Sequence, residues 1–112
     1  MECLCALVTL KPGTLDRARE WARELNARKS EVVVTLRDEA VVVESVFLLA
    51  QGDTNYLVYY MKGRDLNAAA EIARKSTHPI DEYHRQFKKD TWADVQILEV
   101  LLDADTIAVD GM

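Results

Sequence analysis

The chain has 112 residues, 49% of them hydrophobic and 29% charged, which is enough apolar material for one domain with a real core and too much for a disordered chain. Its 14 basic and 19 acidic side chains leave a formal charge of −5 with no basic stripe, which argues against a nucleic-acid partner and against an anionic membrane surface. No stretch approaches membrane-spanning length, and Met1-Glu2 leads straight into a strand-like segment with no basic leader, so the expectation is a cytoplasmic protein.

Residues 4–10 are apolar on both faces, as a central strand covered on both sides requires. Cys3 and Cys5 point to one face, where a mutual disulfide has poor geometry; they read as reduced, buried thiols, because a lone Cys-x-Cys supplies only two soft ligands and implies no metal or cofactor. Lys11-Pro12-Gly13 ends the strand, Thr14 is placed to cap the next helix, and Asp16 faces the positive end of its dipole. Leu15, Ala18, Trp21, Ala22, Leu25, Val32, Val33 and Leu36 fall near one helical stripe. The stripe breaks at Arg28-Lys29 before the β-branched Val32-Val33-Val34, so one kinked helix and two shorter ones are both open.

Residues 40–50 and 56–61 read as strands of a hairpin joined by the turn cluster Gln51-Gly52-Asp53-Thr54-Asn55. Asp65 then caps a helix through Ala73, Pro79 stops it, and a second helical piece starts at that proline and runs to about Lys89. A last strand is expected over 95–102, which closes the domain at 1–102 and leaves an acidic tail over 103–112. Strand, helix, strand, strand, helix, strand is the order of an α+β ferredoxin-like fold, in which a four-stranded antiparallel sheet carries its helices on one face. With strands apolar on both sides, the bare face is too hydrophobic for water and is expected to meet a second copy, giving a homodimer.

Leu10-Lys11-Pro12-Gly13, Thr35-Leu36-Arg37-Asp38-Glu39 followed by Glu44-Ser45, and His78-Pro79-Ile80-Asp81 resemble segments of short bacterial proteins of the dimeric α+β barrel superfamily, over about residues 4–102. The resemblance implies two ferredoxin-like protomers packed sheet to sheet, in a group that includes antibiotic-biosynthesis-type monooxygenases and rhamnose mutarotases. The chain departs from the pattern at Ala40, where a helix-ending glycine is expected, and it lacks the mutarotase-type pair of tryptophans, so that activity does not carry over residue by residue.

Both histidines fall between Ser76 and His84. Ile80, Tyr83, His84 and Phe87 share the apolar face of a helix, which turns His84 inward and leaves Asp81, Glu82, Arg85, Lys88 and Lys89 outward. His84 is thus either a satisfied core histidine or a site residue. His78 sits at the helix start, where the dipole favours a neutral imidazole usable as a base, or else is an exposed turn residue. Glu44 interrupts an apolar strand and needs a partner: a cross-strand pair with Lys62 is one explanation, and a role orienting a histidine or a substrate is the other. Trp21, Tyr59, Tyr60, Tyr83 and Trp92 can line a pocket between sheet and helices. The functional expectation is therefore a small organic ligand bound near His78, His84 and Glu44, with cofactor-independent isomerisation or oxygenation as the chemistry; the alternative is a non-catalytic dimeric module with structural histidines.

Overall fold

A computed structural model describes residues 1–107 of the chain. β1 (Glu2–Leu10) leads through α1 (Leu15–Ala27) and α2 (Lys29–Asp38) to β2 (Val41–Gln51) and β3 (Thr54–Gly63). α3 (Leu66–Lys75) and α4 (Pro79–Thr91) then return the chain to β4 (Trp92–Ile97). The strands lie in the order β2-β3-β1-β4 with every neighbouring pair antiparallel, which is the ferredoxin-like sheet that the element order implies.

The first crossover holds two helices, not one. The break falls at Arg28, whose N–H donates back to the Glu24 and Leu25 carbonyls while its own carbonyl accepts from Glu31 and Val32. Thr14 does not cap α1 with its side chain; its hydroxyl donates to the Lys11 carbonyl at 2.7 Å and stabilises the preceding turn instead. Asp65 caps α3 as its sequence suggests, its carboxylate accepting from the Ala68 N–H at 3.0 Å. Ala40 ends α2 at φ +55°, a left-handed conformation in which its Cβ is strained and glycine would not be.

Alternation along the strands sorts side chains onto two faces. Ala6, Val8 and Leu10 of β1 lie beside Leu57 and Tyr59 of β3 under the helices, with Trp21 and the fully buried Phe87 stacked above them at 4.4 Å. Cys5, Leu7, Val58, Tyr60 and Phe47 occupy the bare face. Cys3 and Cys5 are also there, free and partly exposed where burial was expected.

The last strand lies three residues earlier than the apolar run suggests. A bulge between Thr9 and Leu10 lets Trp92 join the sheet, and after Ile97 only the Leu98 N–H still reaches β1, at the Cys5 carbonyl. The chain then crosses the bare face, where Asp103 and Asp105 both pair with Lys62. Residues 108–112 of the expected tail lie outside the described residues. No helix among those described is long and apolar enough to cross a membrane.

Candidate functional site

α4 begins at Pro79 because proline needs no N–H partner at a helix start, and its 3.6-residue period carries Ile80, His84 and Phe87 inward. His84 meets α1 there: the Trp21 indole N–H donates to His84 Nδ1 at 3.1 Å, with the two rings stacked at 5.5 Å. Burial first, then the nearby Lys88 and Arg85 charges, push the His84 imidazole down to about 3, so it is neutral near pH 7. A neutral imidazole has one lone pair, and Trp21 occupies it. The ring proton is therefore on Nε2, and His84 presents a donor rather than a base.

His84 lines a cavity of about 470 Å³ between the helices and the sheet. Tyr59 and Trp92 also line it, their rings edge-on at 5.3 Å. The Tyr59 hydroxyl and the Trp92 indole N–H are buried, and the approach between them falls short of a hydrogen bond, so neither has a partner among the described residues. Buried donors are rarely left in this state, because each forfeits its water without compensation.

Glu44 reaches the same cavity by a route the sequence did not resolve. The hairpin closes with Gln51 opposite Thr54, which sets Glu44 against Met61 and on the face of Tyr59, not on that of Lys62 and Tyr60. The expected Glu44–Lys62 pair is thus excluded by one residue of turn length, since a single-residue shift exchanges the faces of a strand. Burial raises the Glu44 carboxyl, with Lys88 opposing and Asp81 reinforcing the shift. Glu39, only 8% exposed at the end of α2, is pushed up to about 7 by burial and then by the neighbouring Asp81, Glu44 and Asp38. Lys88 lies in the same wall; burial lowers its ammonium while Glu44 and Glu39 support it.

Sequence reasoning placed Asp81, Arg85 and Lys88 outward, whereas all three line the cavity. Lys88 follows His84 by four residues and so shares its face, a spacing that would have found it. Glu39 also carried a signal, because a carboxylate in the last turn of a helix faces the negative end of the dipole.

The remaining expected residues lie elsewhere. His78 is the exposed residue preceding α4, its Nε2 3.0 Å from Asp38 Oδ2, and it does not line the cavity. Tyr60 is on the bare face, Tyr83 is engaged by the Arg17 guanidinium at 3.4 Å, and Trp21 stands behind His84. The structure thus unites His84, Glu44, Tyr59 and Trp92, adds Glu39 and Lys88, and separates His78 and Tyr60 from them. Among the described residues no three His, Cys, Asp or Glu side chains converge where they could hold a metal ion.

A model of a family of unknown function, DUF6176, matches residues 1–109. No curated protein matches the sequence significantly. Among solved structures, the chain is similar to an L-rhamnose mutarotase from Formosa agariphila, with a TM-score of 0.62, 18% identity, and coverage of 94% of this chain and 100% of that one. A likeness at that identity speaks to the ferredoxin-like fold.

Proposed function

We propose that this chain, which belongs to the family DUF6176, binds a small, oxygen-rich carbonyl compound in the helix-side cavity and isomerises it by proton transfer without a cofactor. The observation that carries the reading is the pair of buried, unpartnered donors on Tyr59 and Trp92, opening on the same cavity as His84. Three donors converging on one space suit a ligand with several acceptor oxygens, and an apolar ligand would leave them unsatisfied.

Glu44 and Glu39 supply the proton transfers. Burial raises the Glu44 carboxyl and so favours its protonated form, and Glu39, raised to about 7, is divided between its two forms near neutral pH, a pairing suited to acid–base chemistry. A cyclic aldose fits this arrangement. As its ring C–O bond breaks, the anomeric hydroxyl gives a proton to one carboxylate and the ring oxygen takes a proton from the other carboxyl; closure on the opposite face reverses both transfers. His84 donates Nε2–H to a ligand oxygen and neither gains nor loses a proton. The fold shared with a rhamnose mutarotase supports aldoses as the first class to test.

Saturation-transfer NMR on a panel of aldoses, L-rhamnose included, tests this directly. The intact protein should accelerate anomer exchange for at least one sugar, and Glu44→Gln should reduce that acceleration roughly 100-fold or more. A protein that accelerates none of them contradicts the isomerase reading.

The proposal includes a homodimer formed through the bare sheet face. Phe47 and Leu49 are 60% and 40% exposed there, beside Leu7, Val58 and Tyr60, which supports a surface awaiting a second copy. Sedimentation at micromolar concentration should return twice the chain mass, and a monodisperse monomer would contradict it.

A further inference from the structure

A second cavity, of about 410 Å³, adjoins the first between α1 and the helix-facing side of the edge strand β2. Leu15, Ala18 and Ala22 of α1 face Val46 and Leu48 of β2 and Leu57 of β3, which gives it an aliphatic section, and Asn26 and Ser45 also line it. The two spaces share Leu25, Val32 and Glu44 as lining residues, and Trp21, in the wall of the second, is bonded to His84 in the wall of the first. Arg19 and Lys29 also line the second cavity, and neither makes an ion pair among the described residues.

We infer that the second cavity binds the alkyl chain of an amphiphilic ligand whose oxygen-rich head occupies the first, with a carboxylate at the far end of the chain received by Arg19 and Lys29. The inference rests on the head-group reading above. The shared Leu25, Val32 and Glu44 make the two cavities neighbours, and the aliphatic side chains of the second provide the driving force, since each methylene removed from water favours binding. Burial raises the Glu44 carboxyl between the two cavities, which lowers the cost of placing a chain beside it. The two cations select an acid terminus over a neutral or basic one.

The test uses the full chain and n-alkanoates from butanoate to octanoate, read by methyl NMR. Ala22, Val46 and Leu57 report the second cavity, while Ala70 and Ile80 report the first. Octanoate should move the first set, and affinity should rise about fourfold for each added methylene. Octylammonium should bind more weakly, and Lys29→Glu should abolish the preference. Ala22→Phe should remove the chain-length dependence; Leu48→Asp, at a position 42% exposed, should weaken it independently, with an unchanged methyl spectrum at Ala70 and Ile80 showing that the fold is kept. No chain-length dependence, or shifts confined to Ala70 and Ile80, would overturn the inference. If aldoses move Ala70 and Ile80 while every alkanoate is inert, the head-group reading stands and the chain site fails; if alkanoates bind as described and no aldose does, the chain site stands and the head-group reading fails.

Discussion

A buried lysine and a half-buried one, on opposite sides of one sheet, have opposite fates. Lys62, 3% exposed on the bare face, is held by Asp103 and Asp105, and their hydrogen bonds keep its ammonium charged despite burial. Lys88, on the helix side, has no carboxylate within ion-pair distance among the described residues, and burial pushes it the other way. The acids repeat the contrast: Asp103 is lowered by its bond to Lys62, while Glu39 and Glu44 are raised with no paired cation. The bare face thus resolves its charge within the chain. The helix side leaves carboxyls, an ammonium and two donors unresolved around a cavity, and that cluster of perturbed groups is what the proposed ligand site rests on.

The sharpest way to break this comparison is to remove one aromatic from each side. Phe87→Ala deletes a fully buried ring stacked on Trp21 and should cost about 3–5 kcal/mol in denaturant unfolding. Phe47→Ser, on the bare face, should change the unfolding free energy of the monomer by no more than about 0.5 kcal/mol and instead weaken self-association in sedimentation. Equal losses would erase the distinction between a core face and an interaction face.

The unresolved charge on the helix side is tested next, by its pH dependence. Glu39 titrates at about 7 in the folded chain and at an ordinary carboxylate value of about 4.3 when unfolded, so the folded state binds the extra proton between those values. Its stability is therefore fully present below about pH 4 and falls as pH rises through about 7. Glu39→Gln should be more stable than the parent by about 2–3 kcal/mol near pH 8 and indistinguishable from it near pH 4. His84 works in the opposite sense: with its imidazole lowered to about 3, stability is full above about 6.5 and is lost as pH falls toward 3.

Smaller effects belong to the paired side. Lys62→Met should release the segment that carries Asp103 and Asp105 at a cost of about 1–2 kcal/mol, because both carboxylates can turn to water. Faster hydrogen exchange at the Leu98 amide, which now bonds to Cys5, would report that release. Ala40→Gly should raise stability by about 0.5–1 kcal/mol by relieving the left-handed backbone at φ +55°, readable as a higher denaturation midpoint.

The sheet and both crossovers were legible because hydrophobic period, caps and proline agree: Asp65 caps α3 and Pro79 opens α4 where the residues say they do. His84 was legible for the same reason, through its spacing from Ile80 and Phe87. Glu44 was not, because its face depends on whether the hairpin loop ends at Asp53 or one residue later, and no local pattern decides that. Lys88 and Glu39 were hidden by the assumption that charged residues face water, which fails where a cavity, not packed core, lies under the helix. Leu98 to Leu102 misled in the other direction: their apolar run suggests a strand, yet Leu101 and Leu102 are 88% and 84% exposed, because the chain leaves the sheet edge for Lys62, a contact between residues about forty positions apart.

The central claim is that the helix-side cavity is a ligand site into which a neutral His84 presents Nε2–H beside the Trp92 indole. Long-range proton–nitrogen NMR of His84, followed together with the Trp92 indole while an aldose panel is added, tests it most directly. The account predicts a neutral Nε2–H tautomer across about pH 5 to 8, with Nδ1 shifted by the Trp21 bond, and joint movement of His84 Nε2 and Trp92 Nε1–H as a sugar binds. An imidazole that protonates near its ordinary value of about 6.5, or a panel that leaves both resonances unmoved, would contradict it.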